Sequence, residues 1–223
     1  MNAKHTAINN IINDFEQVSQ LCLNQVSQLN TLVTDANADK ESIYAKMRDN
    51  ENIIDHFEIN ISEEIINTIV LYQPLAGELR KLISCMRIIG FIERISDLSI
   101  NIIEFINRID HLEHLLFFAG PMEEMLNMTY SMTQGAISSF ACENEESARL
   151  TIKRDDEVDD LQRMISAQIL EKKIIDNISS NSQINSLICI NNISSNIERI
   201  ADNATNIAEA SIYMLKGKDI RHS

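Results

Sequence analysis

Four pairs of acidic residues in this chain share one spacing: Glu51/Asp55, Glu93/Asp97, Asp155/Asp159 and Glu198/Asp202. On a helix, i, i+4 places the members of each pair on one face, one turn apart. Spacing alone carries little weight. Random placement of the 33 acidic residues among 223 would give about five such pairs, and the chain has six. The positions of these four are more informative, because each half of the chain supplies two of them. In an antiparallel helical hairpin, residues equidistant from the turn lie at similar height. Positions 55 and 93 are centred on 74, as are 51 and 97, and residue 74 is proline; 159 with 198, and 155 with 202, are centred beside Ser179. Packed helices lie about 8–10 Å apart and i, i+4 neighbours about 5–6 Å apart at Cβ, so each set of four can converge on one small volume. Left uncompensated, the four charges repel. They must be protonated, turned to solvent, or neutralised by a cation, and oxygen-only ligation suits hard or borderline ions such as Mg²⁺, Mn²⁺ or iron. One metal site per half is the expectation, with a solvated acidic face as the competing reading.

The elements that would hold these residues can be read from the punctuation. Candidate breaks fall at Asp35 to Asp39, Gln73-Pro74, Gly120-Pro121, Glu143-Asn144, Ser179 to Ser182 and Gly217, cutting the chain into six helical segments. Segments of about 30 residues make rods of roughly 45 Å, and short connections make successive rods antiparallel. The expected fold is therefore all-α: two tandem, pseudo-symmetric three-helix bundles of long antiparallel helices, divided as residues 1–119 and 120–223. Apolar stripes support it. Ile88, Ile92, Ile95, Ile102, Ile106 and Ile109 in the third segment, and Ile193, Ile197, Ile200, Ala204 and Ile207 in the sixth, recur at helical steps and read as bundle core.

An internal repeat ties the acidic pairs to these stripes. Glu93-Arg94-Ile95-Ser96-Asp97, with Asn101-Ile102 and Glu104, matches Glu198-Arg199-Ile200-Ala201-Asp202, with Asn206-Ile207 and Glu209, at a constant offset. Glu93, Asp97, Asn101 and Glu104 share a narrow strip beside the core face. Asn101 and Asn206 either supply a neutral ligand, or hydrogen-bond a coordinating carboxylate, or fix helix register as buried amides. Arg94 and Arg199 read as ion-pair partners that temper the acidic faces. His222 lies in a tail with no partner pattern.

Composition narrows the class further. At 44% hydrophobic the chain has enough apolar content for a real core. With 5 Gly, 2 Pro and only 5% aromatic residues, it has few turn-formers and strand-formers for a sheet protein. A net charge of −14 repels polyanions, which argues against nucleic-acid binding through a broad basic footprint. No stretch approaches the roughly 18–20 continuous apolar residues that cross a bilayer, and no signal-type apolar core follows the first residues, so the expected location is the cytoplasm. Cys22, Cys85, Cys142 and Cys189 are far apart, form no Cys-x-x-Cys pair, and read as reduced thiols filling helical cores.

Taken together, these residues resemble the PhoU family of phosphate-signalling regulators, whose two repeats each form a three-helix bundle. The resemblance spans nearly the whole chain. Its first half has Gln73-Pro74-Leu75-Ala76-Gly77-Glu78-Leu79-Arg80 and then Glu93-Arg94-Ile95-Ser96-Asp97. The second half has Asp155-Asp156-Glu157-Val158-Asp159, the run from Glu198 through Asp202 and Asn206 to Glu209, and a close at Gly217-Lys218-Asp219-Ile220-Arg221-His222. Departures are Ser96 and Ala201, where the family commonly has Gly, Glu78 for Asp, and Gln162, where an acid is frequent.

The resemblance implies metal ions held by Glu/Asp-x-x-x-Asp motifs, which coincide with the four pairs: divalent or ferric ions, whether iron, Mn, Mg or Zn. It implies a cytoplasmic, homodimeric adaptor that negatively regulates phosphate uptake and phosphate-starvation signalling. Such an adaptor links the ATPase subunit of a phosphate ABC transporter to a sensor histidine kinase, and meets the membrane only through its partners. Accessory proteins of low-affinity phosphate permeases are the nearest alternative. A carboxylate-bridged metalloenzyme and a metal-free structural spacer are alternatives of other classes. Against the enzyme stand the lack of Glu-x-x-His spacing at any of the 5 histidines, of a Gly-rich phosphate loop, and of a nucleophile with its base.

Overall fold

The computed structural model describes residues 3–35, 37–171, 174 and 180–218. Among these residues the chain forms seven helices and no strand: α1 (Ala3–Thr34), α2 (Lys40–Tyr72), α3 (Gly77–Asn107), α4 (Leu112–Ala141), α5 (Glu145–Lys153), α6 (Asp155–Ile169) and α7 (Asn181–Lys216). Their ends follow local chemistry. The carboxylate of Asp39 accepts from the Ser42 amide at 3.1 Å, Asn144 Oδ1 from the Ser147 amide at 3.2 Å, and Ser180 Oγ from the Gln183 amide at 3.2 Å, each satisfying a donor that a helix start leaves over. At the far end of α2, Gln73 turns left-handed at φ 45° and its amide reaches the Ile69 carbonyl at 3.1 Å. Pro74 then prevents the helix from continuing. Gly217 ends α7 at φ 67°, a conformation glycine adopts without a Cβ penalty.

Helices α1, α2 and α3 pack together as one bundle; α4, the α5–α6 pair and α7 form the other. The two are fused rather than strung side by side. α3 packs extensively along α7, α1 along α4, and a single apolar core runs through both bundles. The isoleucine stripes are that core: Ile88, Ile92, Ile95, Ile102 and Ile106 on α3, and Ile193, Ile197, Ile200, Ala204 and Ile207 on α7, are all buried. Ile109, just past the end of α3, is only partly so. Ser96 and Ala201 are buried on the same two helices, small enough for backbones to approach closely.

Three readings need correction. Gly120-Pro121 does not break the chain, because Pro121 lies inside α4. There its ring removes one amide donor, the one that would bond the Phe117 carbonyl, while apolar contacts of Leu115, Phe118, Met122 and Met125 on either side hold the helix together. The break comes instead at Arg108–His111, so the first helix of the second half starts before residue 120. The fifth segment is interrupted at Arg154, immediately before the first acidic pair of that half, and forms α5 and α6. Of the cysteines, Cys22, Cys85 and Cys189 are buried, but Cys142 caps the end of α4 and is exposed. Burial pushes the Cys22 and Cys85 thiols up to about 12, which makes them unreactive filling. The predicted midpoint turn at Ser179, and the tail residue His222, lie outside the described residues.

Candidate metal centres

The α2–α3 hairpin does what its midpoint predicts. The loop between Tyr72 and Gly77 brings Glu51 and Asp55 on α2 to the height of Glu93 and Asp97 on α3. One carboxylate oxygen each from Asp55, Glu93 and Asp97 lie within 4.8 Å of one another. Asp55 and Glu93 are half-buried and Asp97 faces solvent, so the trio forms a shallow site at the bundle surface. Burial raises the Glu93 carboxyl above its ordinary value, followed by the charges of Asp97, Asp55 and Glu58. Asp97 is raised by burial and then by Asp55. Glu51 is raised by burial and by Asp55, and is pulled back by Arg48, whose Nη1 lies 3.7 Å from its Oε2. The Oδ1 atom of Asp55 is shut away from solvent and has no hydrogen-bond partner among the described residues. A buried acceptor with no donor is costly, and a cation at the trio would satisfy it.

In the second half, Asp155 and Asp159 on α6 face Glu198 and Asp202 on α7, all four half-buried. Their mutual repulsion shows in the acidities. Asp155 is pushed up to about 6 by burial first, with Asp202, Asp159 and Asp156 adding to it and the Thr205 hydroxyl opposing. Glu198 is pushed up to about 7 by burial, then by Asp202, Asp159 and Asp155. Asp202 is raised by burial and by Asp159.

The sites differ for a reason visible in the residues around them. Arg48 precedes Glu51 by three positions, while the residue three before Asp155 is Ile152. The first half therefore has a built-in cation, which also holds Glu104 at 2.6 Å and receives support from Tyr44, and the second half has none there. Conversely, Glu58 adds a charge to the first site, whereas the matching Gln162 donates to Ser166 and Ser195 and ties α6 to α7. Arg48 and Glu58 went unread in the sequence, although both fall on the strip of Glu51 and Asp55 at steps of three. Arg94 acts on Glu93, and Arg199 on Glu198 and Asp202, as nearby charges; the direct pairing falls to Arg48.

The asparagines resolve differently. Asn206 donates from its amide to the Asp202 carbonyl at 2.8 Å, and Asn101 is exposed. Neither is a buried register amide. Replacing Arg48 with methionine is expected to raise the pKa values of Glu51 and Asp97 further and to tighten Mn²⁺ binding in the first half up to about fivefold, the scale of a partly exposed ion pair. Carboxyl-detected NMR titration with and without Mn²⁺ checks both.

Similarity to known proteins agrees with the repeat. A family model described as the PhoU domain matches residues 15–106 and again 122–211, one match around each centre. A phosphate-specific transport system accessory protein PhoU homolog from a Burkholderia species is 31% identical over 217 residues, covering 94% of this chain and 90% of the relative. A Thermotoga maritima protein named as PhoU homolog 1 of the same system is 26% identical over 215 residues, covering 93% and 91%. The crystal structure of PhoU from Pseudomonas aeruginosa superposes with a TM-score of 0.82 over 96% of this chain and 99% of that one, at 21% identity, and a phosphate transport system regulatory protein PhoU from Streptococcus pneumoniae also reaches 0.82. With both repeats matched and relatives aligned along nearly its full length, the chain belongs to the PhoU family.

Proposed function

We propose that this chain is a metal-dependent accessory protein of phosphate transport that restrains phosphate uptake and starvation signalling when phosphate is abundant. In this reading it works in the cytoplasm as a homodimer, bridging the ATPase subunit of a phosphate ABC transporter and a sensor histidine kinase. The observation that carries the proposal is the coincidence of two sets of carboxylates, raised in pKa by burial and by one another, with the two family repeats. The relatives' names associate those proteins with the phosphate-specific transport system. No helix among the described residues is long and apolar enough to cross a membrane, in keeping with attachment through partners.

The residues favour hard or borderline cations: Asp55, Glu93 and Asp97, with Glu51 beside them, would hold one centre, and Asp155, Asp159, Glu198 and Asp202 the other. A bound ion supplies open coordination positions for phosphate or for a partner's carboxylate. The protein side of the mechanism is electrostatic. At −14 net charge the bare chain repels free phosphate, and filling the centres locally offsets the negative charge the partner meets. Deleting the gene should switch on a phosphate-starvation reporter in abundant phosphate. Wild-type chain should restore repression, and the Asp97→Ala, Asp202→Ala double variant should not. Full repression in the deletion strain would contradict the regulatory role, and full rescue by the double variant would contradict its metal dependence.

A further inference from the structure

The short connection that joins the two bundles carries a second kind of ligand set. His111 caps the start of α4, and Glu113 and His114 lie in its first turn. One ligand atom from each of the three lies within 4.8 Å of the others. His111 Nδ1 is 2.9 Å from Glu113 Oε1, and the two imidazole rings are 5.7 Å apart, centre to centre. His114 Nε2 is shut away from solvent and has no hydrogen-bond partner among the described residues.

We propose that His111, Glu113 and His114 bind zinc or a similar borderline transition-metal ion at the junction between the bundles, separately from the carboxylate centres. Donor chemistry sets the preference. Two imidazole nitrogens and one carboxylate oxygen suit Zn²⁺, Co²⁺ or Ni²⁺, whereas the all-oxygen clusters suit harder ions. Ligand atoms around a tetrahedral zinc at about 2.0–2.1 Å lie about 3.3 Å apart, a spacing that small side-chain rotations reach from here. Three protein ligands leave a fourth position open, accessible because Glu113 faces solvent. The site is also well anchored. The His111 amide donates to Ser186 Oγ at 3.3 Å, and Ser182 Oγ donates to Asp110 at 2.8 Å, fixing the connection to α7. An ion held here would brace the junction of the two bundles against the second bundle's longest helix.

The plain alternative is a His–Glu ion pair at a helix start, and the two readings separate experimentally. Full-length protein stripped of metal is titrated with Zn²⁺ in excess Mg²⁺, with the ring nitrogens of His111 and His114 followed by long-range ¹H–¹⁵N NMR. We expect one equivalent of Zn²⁺ that shifts both rings. His111→Ala and Glu113→Gln should each weaken it at least about tenfold with helicity retained, and the Asp97→Ala, Asp202→Ala double variant should leave it unchanged. Absence of ring shifts, wild-type zinc affinity in His111→Ala and Glu113→Gln, or loss of this zinc in the double variant would overturn the proposal.

Discussion

Saturating Mn²⁺ is expected to raise the melting temperature of the metal-stripped protein by about 10–20 °C at pH 8. A ligand that binds only the folded state at a concentration 100-fold above its Kd adds about 2.7 kcal/mol per site, so two sites add about 5 kcal/mol. A protein of this size gains about 2–4 °C per kcal/mol. The shift should fall by about half in Asp97→Ala and in Asp202→Ala, because each variant empties one centre. These same variants should melt no lower than wild type without metal, since burial and repulsion outweigh the pull of Arg48 on Asp97 and of Arg199 on Asp202 and leave both carboxyls raised. Differential scanning calorimetry with chelator and with Mn²⁺ reads all four quantities. A shift below 2 °C in the wild type would contradict ion binding at both centres.

The pH dependence of the metal-free protein should run opposite to ordinary acid denaturation. Asp155, pushed up to about 6, and Glu198, pushed up to about 7, hold their protons more tightly folded than unfolded, where carboxyls titrate near about 4. Between about pH 4 and pH 7 the folded chain thus binds more protons, and stability falls as pH rises through the folded values. Both groups are only half-buried, so solvent screens the effect to about 1–2 kcal/mol in total, or about 2–8 °C of melting temperature between pH 5 and pH 8. Glu198→Gln should flatten the profile, and Mn²⁺ should abolish it by replacing the protons. Calorimetry across that range checks the sign: a metal-free protein that grows more stable from pH 5 to pH 8 would show that the second set is not clustered in solution.

How far these centres were legible in the sequence depends on what each feature rests on. The α2–α3 hairpin was readable because Pro74 fixes its turn and a strict helical rise converts residue number into height. From there the facing of Asp55, Glu93 and Asp97 follows almost without tertiary information. The core stripes were readable for the same reason. Pro121 misled because a proline marks a boundary only if the helix gains little by continuing. With Phe118, Met122 and Met125 all buried around it, tertiary packing outweighs one lost hydrogen bond. The interruption at Arg154 has no glycine or proline to announce it. At that point Arg154 reaches across to α4 and donates to Ser131 at 2.7 Å, a contact that residue types along the chain do not announce.

The unequal character of the two centres was half-visible. Gln162 stood out as a missing acid, but its bonds to Ser166 and Ser195, and the absence of an Arg48 counterpart, emerge only once α6 and α7 are placed. The His111–Glu113–His114 group is hidden in the sequence because Pro121 marks the apparent junction while α4 starts at Leu112. With the helix start misplaced, the three residues fell within a presumed interior rather than at a first turn.

Metal content after reloading and desalting goes most directly to the central claim. Protein purified without chelator, loaded with Mn²⁺ and passed through a desalting column should retain Mn at both carboxylate centres. Asp97→Ala and Asp202→Ala should each lose about half of it, and the double variant nearly all. Wild-type protein that emerges with no Mn, or a double variant that keeps as much as the wild type, would contradict the assignment of these carboxylates as metal ligands.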